Sequence, residues 1–89
     1  MYFLKKDLAK RLGYKEEHIL EDAFERDVRR KYADWKFIEK QPVKIRVALK
    51  LFIETGDSYK AAKLAGLTID EFEKIRIKAG IPKVIIREE

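Results

Sequence analysis

Residues 58–78 run Ser58-Tyr59-Lys60-Ala61-Ala62-Lys63-Leu64-Ala65-Gly66-Leu67-Thr68-Ile69-Asp70-Glu71-Phe72-Glu73-Lys74-Ile75-Arg76-Ile77-Lys78. They carry the marks of two short helices meeting at a sharp angle across a turn of three or four residues. Where two helices cross closely, the first must offer small side chains, and Ala61, Ala62 and Ala65 do so. The turn needs a residue at ease with positive φ, which Gly66 supplies. Thr68 is suited to cap the second helix, and Glu71 three residues on completes a capping box. Phe72 and Ile75 return apolar surface to the first helix, with Leu67 plugging the turn. The pattern predicts a helix–turn–helix with helices over about 58–65 and 68–79, the second stopping at Gly80. A generic αα-hairpin is the plainer alternative.

Working upstream, Gly56 ends a run that is apolar nearly all round: Val43, Ile45, Val47, Ala48, Leu49, Leu51, Phe52 and Ile53. Only Lys44, Arg46, Lys50 and Glu54 interrupt it. Such a helix, 43–54, is central in a small domain or lies in a dimer interface. Pro42 fits its first turn. Asp57 and Ser58 are both suited to cap the helix that follows. Earlier still, Ile19, Leu20, Ala23, Phe24, Val28, Tyr32, Trp35 and Ile38 form one apolar stripe. It predicts a long helix opened by Glu16 and Glu17 and reaching about Lys40, with a break near Ala33–Trp35. Phe3, Leu4, Leu8 and Leu12 predict a first short helix over 2–12, closed by Gly13. Downstream, Ile81-Pro82-Lys83-Val84-Ile85-Ile86 is β-branched and reads as a strand with no obvious partner in the chain. An uncovered apolar strand is a liability. It either folds back on its own helices, pairs with its symmetry mate, or adds to a partner's sheet. With the apolar helix 43–54, it leads us to expect a homodimer.

The chain has 89 residues, 46 % hydrophobic and 42 % charged. The apolar share is too high for disorder, and the charged share far exceeds the usual ~25 %. The length holds one domain with a modest core, which excludes an enzyme that encloses a large substrate. There is no Cys and no Asn, and one each of Gln (Gln41), His (His18) and Met (Met1). A disulfide framework, a zinc knuckle, a Cys nucleophile and haem attachment are thereby excluded. Abundant Lys, Arg and Glu with few thermolabile residues is the composition of hyperthermophile proteins, a charge-rich mesophile domain being the alternative. No apolar run reaches the roughly 18 residues of a membrane span, and Met1–Lys6 lacks a signal-peptide pattern. We therefore expect a cytoplasmic protein.

Net charge is +5, from 21 basic and 16 acidic residues. That suits nucleic acid without demanding it. In a DNA-binding helix–turn–helix the second helix enters the major groove with its N-terminal end. Lys60, Lys63, Lys74 and Lys78 are the expected phosphate contacts, with Arg76 a further cation. Ser58, Tyr59 and the helix N-terminal amides are placed to hold a phosphate, and Thr68 opens the second helix. Against this, Asp70 and Glu73 would face phosphates and weaken binding, whereas Glu71 is absorbed by the capping box. The competing reading is a protein-interaction module without significant DNA binding. Arg29, Arg30 and Lys31, beside Tyr32, Trp35 and Phe37, form the densest basic run. They read either as a stacking and phosphate surface or, better, as a solvated face beside aromatics that continue the core stripe. His18 reads as a surface residue, and Glu21, Asp22 and Glu25 as solvated carboxylates. With no glycine-rich phosphate loop and a single serine, we expect no enzyme, no cofactor and no metal site.

Residues 47–84 resemble the conserved half of a small prokaryotic family of antitoxin-like proteins, uncharacterised protein family 0175. The matching residues are Val47-Ala48-Leu49-Lys50-Leu51-Phe52, Glu54, Gly56, Ser58, Lys60-Ala61-Ala62, Leu64-Ala65-Gly66-Leu67, Glu71-Phe72 and Gly80-Ile81-Pro82. A weaker upstream match lies at Leu12-Gly13, so the likeness covers most of the chain. It implies a helix–turn–helix antitoxin or regulator, often encoded beside a PIN-like ribonuclease toxin, that binds its operator and covers the toxin with another segment. The chain departs from the family in Met1–Leu12, read as a helix rather than an extended segment with a proline. It departs again in the longer charged stretch Arg26–Gln41. The expectation is an all-α single domain over 1–89 with about five helices. N-terminal helices fill 1–41, the central helix and C-terminal helix–turn–helix fill 42–80, and a short β-strand and tail fill 81–89. Its expected function is that of a dimeric DNA-binding regulator, with double-stranded DNA and a PIN-like toxin as partners.

Overall fold

The structure, a computed structural model, describes the backbone of residues 2–4 and 22–85 and the side chains of residues 24–83. Five helices follow one another: α1 Asp22–Tyr32, α2 Trp35–Glu39, α3 Val43–Thr55, α4 Ser58–Ala65 and α5 Ile69–Lys78. The mostly helical class agrees with the expectation. The apolar stripe from Phe24 to Ile38 is carried by two helices, because Asp34 stops one and starts the next. Its Oδ1 accepts the Phe37 N–H at 3.1 Å, which makes it the N-cap of α2. Pro42 sits one position earlier than expected. Its ψ of 154° is extended, so it is the N-cap residue of α3 rather than part of the first turn.

Helix α3 is the centre of the fold and packs against α1, α2 and α4. Ala48, Leu49, Phe52 and Ile53 are its buried residues. They meet Ile38 of α2, Ala61 and Ala62 of α4, and Phe72 of α5 in one core. The Phe52 and Phe72 rings lie 5.8 Å apart and tilted by 59°, a favourable aromatic pair. The start of α3 does not share this burial, since Val43 and Val47 are exposed.

The end of α5 fixes the remaining geometry. Gly80 has φ +73°, its N–H donates to the Ile77 carbonyl at 3.0 Å, and the Ile81 N–H donates to the Arg76 carbonyl at 3.2 Å. This is a Schellman close. A side chain at Gly80 would stand 2.9 Å from the Tyr32 carbonyl oxygen. Beside it the Asp34 N–H donates to the Ala79 carbonyl at 2.8 Å. The α1–α2 corner therefore rests directly on the end of α5, and Ile81 and Pro82 are buried where the chain leaves that helix.

From there the backbone of Lys83–Ile85 (β2) lies parallel to Tyr2–Leu4 (β1), with Tyr2 opposite Lys83, Phe3 opposite Val84 and Leu4 opposite Ile85. Two expectations are corrected. Tyr2–Leu4 is extended and does not begin a helix, and the outgoing segment has a partner within its own chain. At residues 2–4 the spacing of Phe3, Leu4, Leu8 and Leu12 does not outweigh a strand edge supplied from the far end of the chain, to which Tyr and Phe are well suited. Residues 5–12 of the expected first helix, Gly13, the helix start at Glu16, Glu17 and His18, and Ile86 lie outside the described residues.

Candidate nucleic-acid interface

Asp57 caps α4, its Oδ1 accepting the Lys60 N–H at 3.0 Å. The first helix ends at Gly66, φ +71°, in a second Schellman close. The Gly66 N–H donates to the Lys63 carbonyl at 3.2 Å and the Leu67 N–H to the Ala62 carbonyl at 2.9 Å. Gly66, Leu67 and Thr68 make the turn. The expected capping box is present in both directions. The Glu71 N–H donates to Thr68 Oγ1 at 3.2 Å and the Thr68 N–H to Glu71 Oε1 at 3.0 Å. Hydrogen bonds from the Thr68 backbone and side chain, with the nearby Lys74 charge, outweigh a small desolvation and hold the Glu71 carboxyl below its ordinary pKa.

At about 100° per residue, the two helices sort their side chains into opposite faces. In α5, Phe72 and Arg76 are buried, and Ala79 follows them inward just past its end. Asp70, Lys74 and Ile77 stand opposite and are exposed, with Lys78 on their flank. In α4, Ala61 and Ala62 are buried, while Tyr59, Lys60 and Lys63 are exposed. Of the seven residues expected at the interface, Tyr59, Lys60, Lys63, Lys74 and Lys78 are therefore accessible. Thr68 is exposed, but its hydroxyl oxygen is engaged in the cap. Ser58 is half-buried and is not the cap of α4, a place taken by Asp57; its side chain helps to lower the pKa of the Glu73 carboxyl.

Glu73 and Arg76 both differ from expectation. Arg76 is 1 % exposed. Its Nε donates to Glu73 Oε2, its Nη1 donates to the Ile81 carbonyl at 2.7 Å, and its guanidinium lies 5.8 Å from the centre of the Phe52 ring. The other Glu73 oxygen lies 3.1 Å from Lys83 Nζ. Burial alone would push the Glu73 carboxyl up. Hydrogen bonds from Ser58, Arg76 and Lys83, with the Arg76 charge, outweigh it and leave the pKa lowered. Arg76 is a core cation and not a DNA contact, and Glu73 is a neutralised carboxylate that faces no phosphate. Sequence placed both on the second helix but not on its inner side.

The densest basic run is also reassigned. Arg29 is buried and its Nε donates to the Ile53 carbonyl at 2.7 Å. Arg26 Nε donates to the Glu54 carbonyl at 3.3 Å, and Arg30 pairs with the Glu54 carboxylate. Three arginines of α1 thus close the C-terminal end of α3, where free carbonyls and the negative dipole end attract cations. Of the run expected as a solvated face, Arg29 is taken into the core, whereas Arg30 and Lys31 remain exposed. Tyr32 is half-buried, but Trp35 is 42 % exposed and its indole N–H donates to the Arg30 carbonyl at 3.1 Å, so it does not continue the core stripe.

Ile77 was not singled out by sequence, because an isoleucine reads as core. Its position opposite Phe72 and Arg76 on the helix is the signal that finds it, and it is 51 % exposed. Among the described residues, Lys60, Lys63, Lys74, Lys78 and Asp70 make no ion pair. No group of three or more metal-ligating side chains occurs among them, and no described helix is long and apolar enough to cross a membrane. Comparison with protein-family models, curated proteins and solved structures finds no match.

Proposed function

We propose that the protein is a DNA-binding regulator of the helix–turn–helix antitoxin type, acting in the cytoplasm as a homodimer. Helix α5 docks in the major groove, and Lys60, Lys63, Lys74 and Lys78 contact phosphates with Tyr59 beside them. One observation carries this reading. Two of the three carboxylates of α5 are turned to internal use, Glu71 in a cap and Glu73 on Arg76 and Lys83, while four lysines are exposed and make no ion pair among the described residues. The repulsion expected of Glu73 is thereby removed. A dimer would present two such helices about one DNA turn apart. The exposed Val43 and Val47 of α3 offer it an apolar contact.

The competing reading rests on a different observation. Tyr59, Leu64 and Ile69 are exposed on the same two helices and would suit a protein partner such as a PIN-like toxin. Binding to mixed-sequence duplex at two salt concentrations, with mass from light scattering in the same samples, separates the two. A dimer whose affinity falls steeply with salt is the expected result. A protein that leaves duplex unbound at low salt overturns the DNA reading and favours the interaction module.

A further inference from the structure

Once Glu71 and Glu73 are accounted for, one carboxylate on α5 has no internal role of that kind. Asp70 is exposed and makes no ion pair or side-chain hydrogen bond among the described residues. It shares the outermost stripe of α5 with Lys74 and Ile77, directly opposite Phe72 and Arg76. It also lies in the first turn, the part of a recognition helix that approaches base edges. A carboxylate there is repelled by phosphates and rejected by the acceptor atoms of guanine and thymine. Amino hydrogens that an aspartate can accept occur on cytosine N4 and adenine N6, and on adenine the adjoining N7 acceptor repels the carboxylate, which leaves cytosine as the better match.

We infer that Asp70 is a specificity residue that selects cytosine in the major groove, while the surrounding lysines supply affinity without sequence preference. The inference rests on the DNA reading above. It divides the labour on one helix. Lys74 holds the backbone, and Asp70 lowers affinity for every site except those that present an amino group to it. The plainer role for an acidic residue in a first turn is to complement the helix dipole. That role predicts a change in stability and none in base preference.

Selection of bound sequences from a random duplex pool, run in parallel for the wild-type chain, Asp70→Ala and Lys74→Ala, tests it. Wild type is expected to enrich sites with a fixed cytosine, and replacing that C·G pair by T·A should weaken binding about tenfold. Asp70→Ala should bind the unselected pool at least as tightly as wild type and lose preference at that one position. Lys74→Ala should weaken all sites alike and keep the preference. Enrichment of the same cytosine by Asp70→Ala, or of no cytosine by wild type, overturns the role of Asp70 and leaves the DNA reading standing. Absence of DNA binding by wild type at low salt overturns both.

Discussion

Two basic regions of this molecule look alike in sequence and behave oppositely in the structure. Helix α1 carries Arg26, Arg29 and Arg30 in one short stretch, and all three are spent on the last turn of α3. Helices α4 and α5 carry Lys60, Lys63, Lys74 and Lys78 at wider spacing, and all four are exposed. The single arginine of the second region, Arg76, follows the first pattern and is buried. A guanidinium has a planar fork of donors and is weakly hydrated, so it can satisfy carbonyls and carboxylates inside a fold. An ammonium is a compact, strongly hydrated point charge that stays in water. Density of positive charge is therefore a poor guide to the binding surface here. Residue type and helical phase are the better guides.

The sharpest break of this contrast is at Arg76. Arg76→Met should remove about 4 kcal/mol of stability, because it strips the main partner from the Glu73 carboxylate and leaves the buried Ile81 carbonyl without its donor. Thermal denaturation should show a midpoint lower by more than ~10 °C. A variant with an unchanged midpoint and weakened DNA binding would return Arg76 to the surface list. The two Schellman glycines give the next effect. Gly80→Ala places a methyl 2.9 Å from the fixed Tyr32 carbonyl, whereas Gly66→Ala meets nothing within 4 Å. Both pay the left-handed backbone cost of about 1 kcal/mol, and Gly80→Ala should lose about 3 kcal/mol in total. Equal losses in chemical denaturation would show that the α1–α2 corner can move away from α5. Arg29→Lys should cost about 2 kcal/mol, since an ammonium cannot reproduce the Nε bond to Ile53 in that pocket. Arg30→Lys, at an exposed pair, should cost well under 1 kcal/mol.

How much of this was legible beforehand follows from the range of each interaction. The helix–turn–helix, its capping box and its glycine turn are local, set by residues within four positions of one another, so Thr68, Glu71 and Gly66 gave them directly. The break expected near Ala33–Trp35 is local too, since Asp34 caps the adjacent helix through the N–H of Phe37, three residues on. What failed was long-range. Arg29 reaches Ile53, Ser58 reaches Glu73, and Tyr2–Leu4 pairs with Lys83–Ile85. No local periodicity encodes those partners. Of the expected interface residues, the lysines and Tyr59 lie on the outer phase of their helices. Ser58 falls between core and surface on α4, where spacing alone does not decide.

The Glu73 site also gives the contrast a pH dependence. Its carboxyl is ionised more readily in the folded chain than in the unfolded one, so the unfolded state binds the proton more tightly. Its contribution to stability is present above the ordinary carboxylate value of 4.5 and is lost as pH falls through the lower folded value. Wild type should lose stability through that acid window. Glu73→Gln should be less stable than wild type at neutral pH, with the difference shrinking below it. Parallel curves across the window would mean that the carboxylate and Arg76 do not depend on one another.

The smallest effect on the fold is expected where the effect on binding is clearest. Lys74 is exposed and carries no ion pair among the described residues, so Lys74→Ala should change stability by no more than about 0.5 kcal/mol. If Lys74 holds a phosphate, the same change removes one released counterion. The slope of log affinity against log salt should then fall by about 1, with weaker binding at every sequence. Arg30→Ala is the matched control, since it removes a positive charge from the region where cations are committed to α3. Its salt slope should stay at the wild-type value. Equal slope changes for the two variants would show that net charge alone draws the protein to DNA, and the division between consumed arginines and available lysines would then carry no functional weight.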